Sequence, residues 1–405
     1  MRLLFVTPYL PGPPLFGGAR RVYGLMSELA KTHEVSIVSL VLASEDQTAR
    51  IAKAKTYCQR VEVVADEWHR MQGRAKRVFQ LASLLSPWSW EKVLYLRPAF
   101  QRALDLHLRQ HDYDAVVCEF VFMANFRFPR ASAQRRPRLV LDEHNVEYDL
   151  LRRTAEATAT GRRVFQELNW RKLKREEVGI WRQFDACAVT SARDEEIVRC
   201  EAPSLRTAVV PNGVDIDEFV PVSDTKVEAK TLLFFGAINY FPNTDGALYF
   251  AREMLPSLRA QDPSIQLRIV GPVGEGPVMD LRSQGVQVLG FVDDVKTEIE
   301  KATVVIVPLR IGGGTRLKIL EAMAMGKTIV STSLGAEGLE VEHGKDILIA
   351  DTPEEFVQQV SVALNSPELR ERLGKEARKS AVALYSWPSA AKKMESLLLS
   401  LGTPD

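Results

Sequence analysis

The chain has few cysteines and no pattern that would organise them. Four stand among 405 residues. Cys58, Cys118, Cys187 and Cys200 show no C-x-x-C spacing, which excludes a zinc module and a disulfide framework. Cys118 and Cys187 fall inside apolar runs, where a thiol serves as a small core residue. A basic surplus is missing too. Lys+Arg total 53 against 52 Asp+Glu, a net charge of +1. No nucleic acid is therefore expected as a partner, because that class carries a basic patch or stripe. No apolar run reaches the length of a membrane span. Met1–Pro8 is apolar but too short for a signal h-region, and prolines follow at once. The expected location is cytoplasmic, and peripheral contact with the inner face of the membrane stays open. Also absent is G-x-G-x-x-G: the first strand leads into Pro11-Gly-Pro-Pro14, which argues against a nicotinamide enzyme. There is no repeat at solenoid periods and no low-complexity tract.

What the chain does have is an ordinary globular composition, 46% hydrophobic and 26% charged. Short buried-strand patterns alternate with helical periodicity. Leu3–Val6, Val35–Val38, Val61–Val64, Ala115–Cys118, Leu139–Leu141 and Ala186–Val189 read as strands, with Val22, Leu25, Met26 and Leu29 on one helical face between the first two. The alternation restarts after Pro211-Asn-Gly213 with Leu232–Phe235, Leu267–Val270, Val286–Leu289, Val304–Val307, Thr328–Val330 and Ile347–Ile349. Such alternation predicts parallel sheets covered on both faces. The fold class is α/β, with two doubly wound Rossmann-like domains facing across a cleft. The expected division is 1–205 for the first domain, with a helix at about 386–405 packing back on it, and 206–385 for the second. Residues 214–230 read as the connection. A long charged helical region covers 144–184, with a break near Thr160-Gly161. The tryptophans Trp68, Trp88 and Trp90 border a basic, leucine-rich stretch over 69–110. That stretch reads as helices packing on the first sheet, with a membrane or lipid-linked acceptor surface as the alternative.

The densest chemistry lies in Ile311-Gly-Gly-Gly-Thr-Arg-Leu-Lys-Ile-Leu-Glu-Ala-Met-Ala-Met-Gly326. A strand precedes it, a helix is expected to start near Thr315, and Gly326 is expected to end that helix. A glycine turn that opens a helix offers backbone N–H groups and a positive dipole end to an anion. Arg310, Arg316 and Lys318 add charge. Glu321 shares a helical face with Leu317, Leu320 and Ala324. A carboxylate on an apolar face needs donors, and sugar hydroxyls supply them. The combination predicts a site for a phosphorylated sugar, above all a nucleotide sugar. Asp215-Ile-Asp217 is nominally a metal-binding D-x-D string, but it follows Asn-Gly-Val in the connection and reads as a turn. No metal and no cofactor are expected.

In order and spacing, these residues resemble the retaining glycosyltransferases of family 4, which have the two-Rossmann GT-B architecture. The markers are Gly17-Gly18, Asp142-Glu-His-Asn145, Pro211-Asn-Gly-Val-Asp215, Phe235-Gly-Ala-Ile-Asn-Tyr-Phe-Pro-Asn243 and Gly312 to Gly326. Ser333-Leu-Gly-Ala-Glu-Gly338 and Tyr385-Ser-Trp387 complete them. The Gly-Gly-Gly-Thr-Arg-Leu-Lys subtype resembles bacterial group 1 sugar transferases. The family motif is a pair of glutamates seven residues apart. Glu321 matches the second, which the resemblance assigns to the ribose hydroxyls. The first would fall where Gly313 stands, so sugar-side recognition must differ, through backbone N–H groups of Gly313 and Gly314. Family members also carry a Gly-Arg…Lys pair after the first strand of the second domain. Here Gly236 is followed by Ala237, and Asn243 stands near the lysine position.

The resemblance implies a hexosyltransferase that uses a UDP- or GDP-linked donor and a saccharide or lipid-linked acceptor, in cell-surface polysaccharide or glycoconjugate synthesis. The alternatives are a catalytically inactive nucleotide-sugar-binding module and a two-domain nucleotide-sugar 2-epimerase. Expected catalytic residues are His144, Arg316 and Lys318. Expected donor-binding residues are Gly17, Gly18, Gly236, Asn243, Gly313, Gly314, Thr315, Leu317 and Glu321. His144 is placed near the transferred sugar, with Asp142, Glu143 and Glu147 as the acids able to orient it. Arg20 and Arg21 follow the first glycine pair, and one of them is a candidate to face the site.

Overall fold

A computed structural model describes residues 1–12, 17–66, 73–128, 136–156, 160–221, 227–312 and 314–402. The chain forms two compact units, Met1–Pro211 with the segment from Ala390 onward, and Asn212–Ser389.

The first unit holds a parallel sheet with strand order β3-β2-β1-β4-β5-β6-β7. Its strands are β1 Arg2–Thr7, β2 Glu34–Leu42, β3 Arg60–Asp66, β4 Ala115–Glu119, β5 Arg138–Glu143, β6 Ala186–Val189 and β7 Arg206–Val209. Residues of β4 and β6 are buried throughout, as expected for strands covered on both faces. The helix Gly17–Leu29 buries Val22, Leu25, Met26 and Leu29, the face its periodicity predicts. The charged region at 144–184 resolves into two helices, Glu147–Glu156 and Thr160–Trp181. Helices Gly73–Leu84, Trp90–Tyr95 and Pro98–Gln110 occupy the leucine-rich stretch. There Trp90 is buried and Trp88 is exposed, and Trp68 lies outside the described residues. Cys118 and Cys187 are buried core thiols.

One strand escaped the sequence reading. β7 pairs in parallel with β6 from Ala186↔Arg206 to Val189↔Val209, so residues 206–209 belong to the first sheet and not to the second domain. Its residues are exposed or half-buried. An edge strand has no need of a continuous apolar run, and Arg206-Thr-Ala-Val209 shows none. The helix Trp387–Ser400 ends in the first unit, where Glu395 meets His33 and Arg206 reaches Ser400.

The second unit holds a parallel sheet ordered β10-β9-β8-β11-β12-β13. Its strands are β8 Thr231–Phe235, β9 Gln266–Val270, β10 Gln287–Gly290, β11 Val304–Val307, β12 Ile329–Ser331 and β13 Leu348–Ile349. The helix after the glycine turn runs Leu317–Ala324, starting two residues later than expected. It ends as predicted. Gly326 adopts φ +64°, its N–H bonds Met323 O, and the Lys327 N–H bonds Ala322 O, the paired closure of a Schellman motif. Asp215 forms the expected turn, its Oδ1 accepting from the N–H groups of Asp217 and Glu218 at 3.0 and 2.9 Å. No described helix is long and apolar enough to cross a membrane.

In both sheets the strand order reverses beside the first strand of the unit. Ligands of doubly wound sheets bind outside the carboxyl ends of the strands at that reversal. In the first unit those ends are Thr7 of β1 and Glu119 of β4. In the second they are Phe235 of β8 and Val307 of β11.

Candidate active site

In the second unit, β8 ends at Phe235 and the chain turns at Gly236, whose φ is +131°. A side chain there would be strained, and its Cβ would lie 3.2 Å from Lys318 Nζ. The lysine fills that space. Lys318 is 8% exposed, and its Nζ donates to Asn243 Oδ1 at 2.7 Å. The ammonium also sits over the Phe234 ring, 4.2 Å from the centroid. Asn243 is oriented in turn by its amide donating to Ala237 O at 2.8 Å. Three expected residues, Gly236 and Asn243 after β8 and Lys318 75 positions beyond Asn243, thus meet at one strand end. Among the described residues no carboxylate pairs with Lys318. Burial, with the Arg316 charge nearby, pulls its pKa down to about 7.

The turn itself is built from positive-φ glycines, Gly312 at +136° and Gly314 at +70°. Gly313 lies outside the described residues. Arg316 donates from Nη1 to Gly314 O at 2.6 Å, which fastens the side chain across the turn. Arg316 is the N-cap position of the helix, and no side chain caps it. Of the first-turn N–H groups, that of Ile319 bonds Arg316 O at 2.9 Å, and the positive end of the helix dipole faces the turn. The Thr315 hydroxyl is buried with no hydrogen-bond partner. Leu317 opens the helix half-buried, against the second-unit core. Glu321, one turn on, is 6% exposed among Ile319, Leu320, Ala322 and Met323. Arg310 is engaged elsewhere. It pairs with Asp245 at 2.7 Å and stacks over Tyr249 at 4.0 Å.

In the first unit, Gly17 and Gly18 open their helix as expected. A Cβ on Gly18 would meet the Tyr9 hydroxyl at 2.4 Å, the Phe120 ring at 3.1 Å and His144 Nδ1 at 3.5 Å. A side chain there would have to displace the Tyr9 hydroxyl and would rest in contact with the histidine. His144 follows β5, is 7% exposed, and stacks on Phe120 with ring centroids 3.7 Å apart. Phe120 holds φ +67°, a left-handed conformation uncommon outside glycine. Its N–H bonds Asp142 O at 3.0 Å, which helps hold the strained residue in place.

The acid that holds the histidine is none of the three expected ones. Glu119 Oε2 lies 2.7 Å from His144 Nε2, whereas Asp142 Oδ2 is 3.8 Å away. Both Asp142 oxygens are taken by Arg21, from Nε at 2.9 Å and Nη2 at 2.5 Å. Arg21 Nη1 donates to Val210 O at 2.9 Å. Glu143 points elsewhere, its carboxyl facing Glu177 and Trp181. Glu147 carries its own raised pKa, about 8, through burial and the neighbouring Glu177. Burial drives Glu119 well above the usual carboxylic range, and the Asp142 charge adds to it. His144 is lowered to about 3, chiefly by burial, and is neutral at physiological pH. Glu119, Asp142 and His144 place one ligand atom each within 4.8 Å of one another. A cation there would have to displace the Arg21 guanidinium from Asp142.

A profile of group 1 glycosyl transferases matches residues 229–366, and a family 4 glycosyltransferase profile matches residues 17–218. The group 1 profile falls within the second unit and the family 4 profile lies almost wholly in the first, over the two clusters just described. The chain is a glycosyltransferase of the GT-B fold. A solved structure similar to this glycosyltransferase is a sucrose-phosphate synthase from Thermosynechococcus elongatus, 17% identical. It covers 99% of each chain with a TM-score of 0.74. Another is Anabaena HepE in complex with UDP and glucose, 15% identical over 99% of this chain and all of that one, TM-score 0.67. In sequence, an uncharacterised 44.6 kDa protein from a Klebsiella pneumoniae cps region is 21% identical over 89% of this chain and 90% of its own.

Sequence reasoning about the glycosyltransferase missed Glu119 and Phe120 and left Arg21 as one of two candidates. Arg21 alone had a usable signal. It lies at helical spacing from Leu25, on the face that packs inward, while Arg20 does not.

Proposed function

We propose that the protein transfers a hexose from a UDP- or GDP-linked donor to a saccharide or lipid-linked acceptor, with retention of anomeric configuration. The setting is cell-surface polysaccharide or glycoconjugate synthesis, in the cytoplasm or at the inner face of the membrane. The observation that carries this reading is the Lys318 ammonium, buried at a strand end and tied to an amide rather than an acid, behind a glycine turn. A cation kept without a counter-ion suits an anionic ligand. The diphosphate of a nucleotide sugar is such a ligand, and HepE, of like fold, is known with UDP and glucose bound.

On this reading the leaving diphosphate takes its negative charge onto the turn. Lys318, Arg316, the Thr315 hydroxyl and the backbone of Gly236 and Gly314 stabilise that charge as the glycosidic bond to the donor breaks. Each charge-assisted hydrogen bond is worth about 1.5–3 kcal/mol, so two of them supply a large share of the rate. Glu321, buried beside Leu320, accepts from the ribose hydroxyls. Gly17 and Gly18 let sugar or phosphate approach the start of their helix. Neutral His144 polarises a sugar or acceptor hydroxyl. The cationic turn neutralises the diphosphate, so the reading calls for no metal and no cofactor.

The test is a thermal-shift panel of UDP-, GDP-, ADP- and CMP-sugars. A donor present at about a hundred times its Kd stabilises the fold by about 2.7 kcal/mol, so one nucleotide class should raise Tm by several degrees. The anomeric proton signal of the product then reports retention. If no nucleotide sugar moves Tm, the donor assignment is wrong. A product of inverted configuration would remove the retaining mechanism alone.

A further inference from the structure

We propose that Glu119 is the positioning residue for His144. It is a neutral carboxylic acid that donates its proton to Asp142 and accepts from His144 Nε2–H, so Nδ1 is presented as a lone-pair acceptor beside the Gly18 turn. This rests on the reading of His144 as a partner of sugar hydroxyls, and it names the residue that gives the imidazole its direction.

β4 and β5 are parallel neighbours, and Glu119 stands opposite Asp142. Registered neighbours on adjacent strands project to the same face, so the two carboxyls are forced together. Both are fully buried. Two carboxylates in contact inside a protein cannot both be ionised. Arg21 decides which one keeps its charge, because its guanidinium binds both Asp142 oxygens, with a further N–H on Val210 O. The Arg21 charge favours an ionised Glu119 as well, but less than burial and the Asp142 charge oppose it. Its Oε1 is buried with no hydrogen-bond partner, while Oε2 is on His144. An ionised carboxylate with one orphan oxygen in the interior is costly, whereas a protonated one satisfies both ends. Its O–H points to the charged Asp142, and its carbonyl oxygen is left for Nε2–H.

The imidazole then has one tautomer. A neutral ring carries one N–H. With that N–H on Nε2, the nitrogen left as acceptor is Nδ1, 3.5 Å from the space a Gly18 side chain would fill. Phe120 fixes the ring plane by stacking. The titratable groups around the histidine are Glu119 from β4, Asp142 from β5, Arg21 from the helix Gly17–Leu29 and Tyr9 after β1. The depressed His144 value and the raised Glu119 value agree with a neutral ring beside a neutral acid. A hydroxyl of sugar or acceptor donates to Nδ1, and no proton leaves the chain.

The first measurement needs no variant and no turnover: nitrogen-15 spectra of histidine-labelled protein without ligand. The His144 signal, assigned with His144→Asn, should show Nε2 protonated and Nδ1 bare, unchanged from about pH 5 to 9. A protonated Nδ1, or an imidazolium at neutral pH, overturns the proposal whatever the protein's activity. The second measurement is a pair of substitutions. Glu119→Gln keeps an N–H for Asp142 and a carbonyl for Nε2–H, so kcat should stay within a few-fold of the parent and the tautomer should persist. Glu119→Ala removes both links. It should lower kcat about ten- to a hundredfold, scramble the tautomer, and leave affinity for the nucleotide the parent binds, UDP or GDP, within twofold. A glutamine variant as slow as the alanine one overturns the proposal. If neither UDP nor GDP binds the parent protein, the function reading fails and the tautomer measurement still stands.

Discussion

Charge is handled oppositely in the two clusters. Around His144, Arg21 and Asp142 answer each other inside the fold, and Glu119 and the imidazole complete a network of buried groups. Around Lys318 the partner is an amide, a hydroxyl nearby is left unbonded, and the helix start is uncapped. The first arrangement is rigid and close to neutral. It can orient hydroxyls without drawing an ion into the site. The second keeps cationic charge in a desolvated place, at a cost to the free protein that an anionic ligand relieves. Each sits at the strand reversal of its own sheet, so a shared topology carries two kinds of polarity.

The sharpest way to break this contrast is Lys318→Met. Nucleotide affinity should fall about ten- to a hundredfold, from the loss of one charge-assisted bond, with transfer falling at least as far. The free variant should melt higher than the parent at pH 6, because a buried charge has been replaced by an apolar chain of similar size. A lower Tm together with unchanged affinity would show Lys318 to be structural.

Glu321→Ala should raise the donor KM about tenfold and lower kcat less. Steady-state kinetics at varied nucleotide sugar would expose the reverse split and so remove the ribose role.

The pH response should separate the clusters next. Burial brings Lys318 from 10.5 to about 7 in the free fold. The folded state then binds fewer protons than the unfolded chain between those values. Stability therefore climbs as pH rises from about 7 to 10.5, and the cost is fully present below about 7. Binding of a diphosphate restores the charge and takes up a proton, so nucleotide affinity should fall as pH rises above about 7. Calorimetry in buffers of different ionisation enthalpy would detect that proton, and a flat profile contradicts the assignment. His144, at about 3, contributes no change over the same range.

The smallest effect belongs to Asp217→Asn. The turn needs Asp215 Oδ1 as acceptor, and Asp217 contributes only its backbone N–H. Transfer should stay within twofold, with or without a chelator. A large loss that added divalent ion reverses would reinstate a metal site at this turn.

The alternation of apolar strands, the buried face of the helix Gly17–Leu29, the Gly326 helix end and the Asp215 turn were legible in sequence because each is local. Apolar periodicity and turn chemistry act within a few residues. β7 was not legible, because edge strands lack the apolar run that marks central ones. Lys318 was legible as a cation on a glycine turn, but its burial and its bond to Asn243 depend on β8 and β11 being neighbours. Glu119 carried no local mark at all. Its meeting with Asp142 follows from the pairing of β4 with β5, and its hold on His144 follows from where β5 ends.

The sequence by itself determined the parallel α/β class, the glycine turn that opens a helix, and the residue types able to meet a phosphorylated sugar. Backbone preference and apolar spacing decide those at short range. The tertiary structure alone decided which acid holds the histidine, which arginine is spent on Asp142, and which lysine loses its water. Those outcomes depend on strand register and desolvation, and both arise only once distant segments pack together.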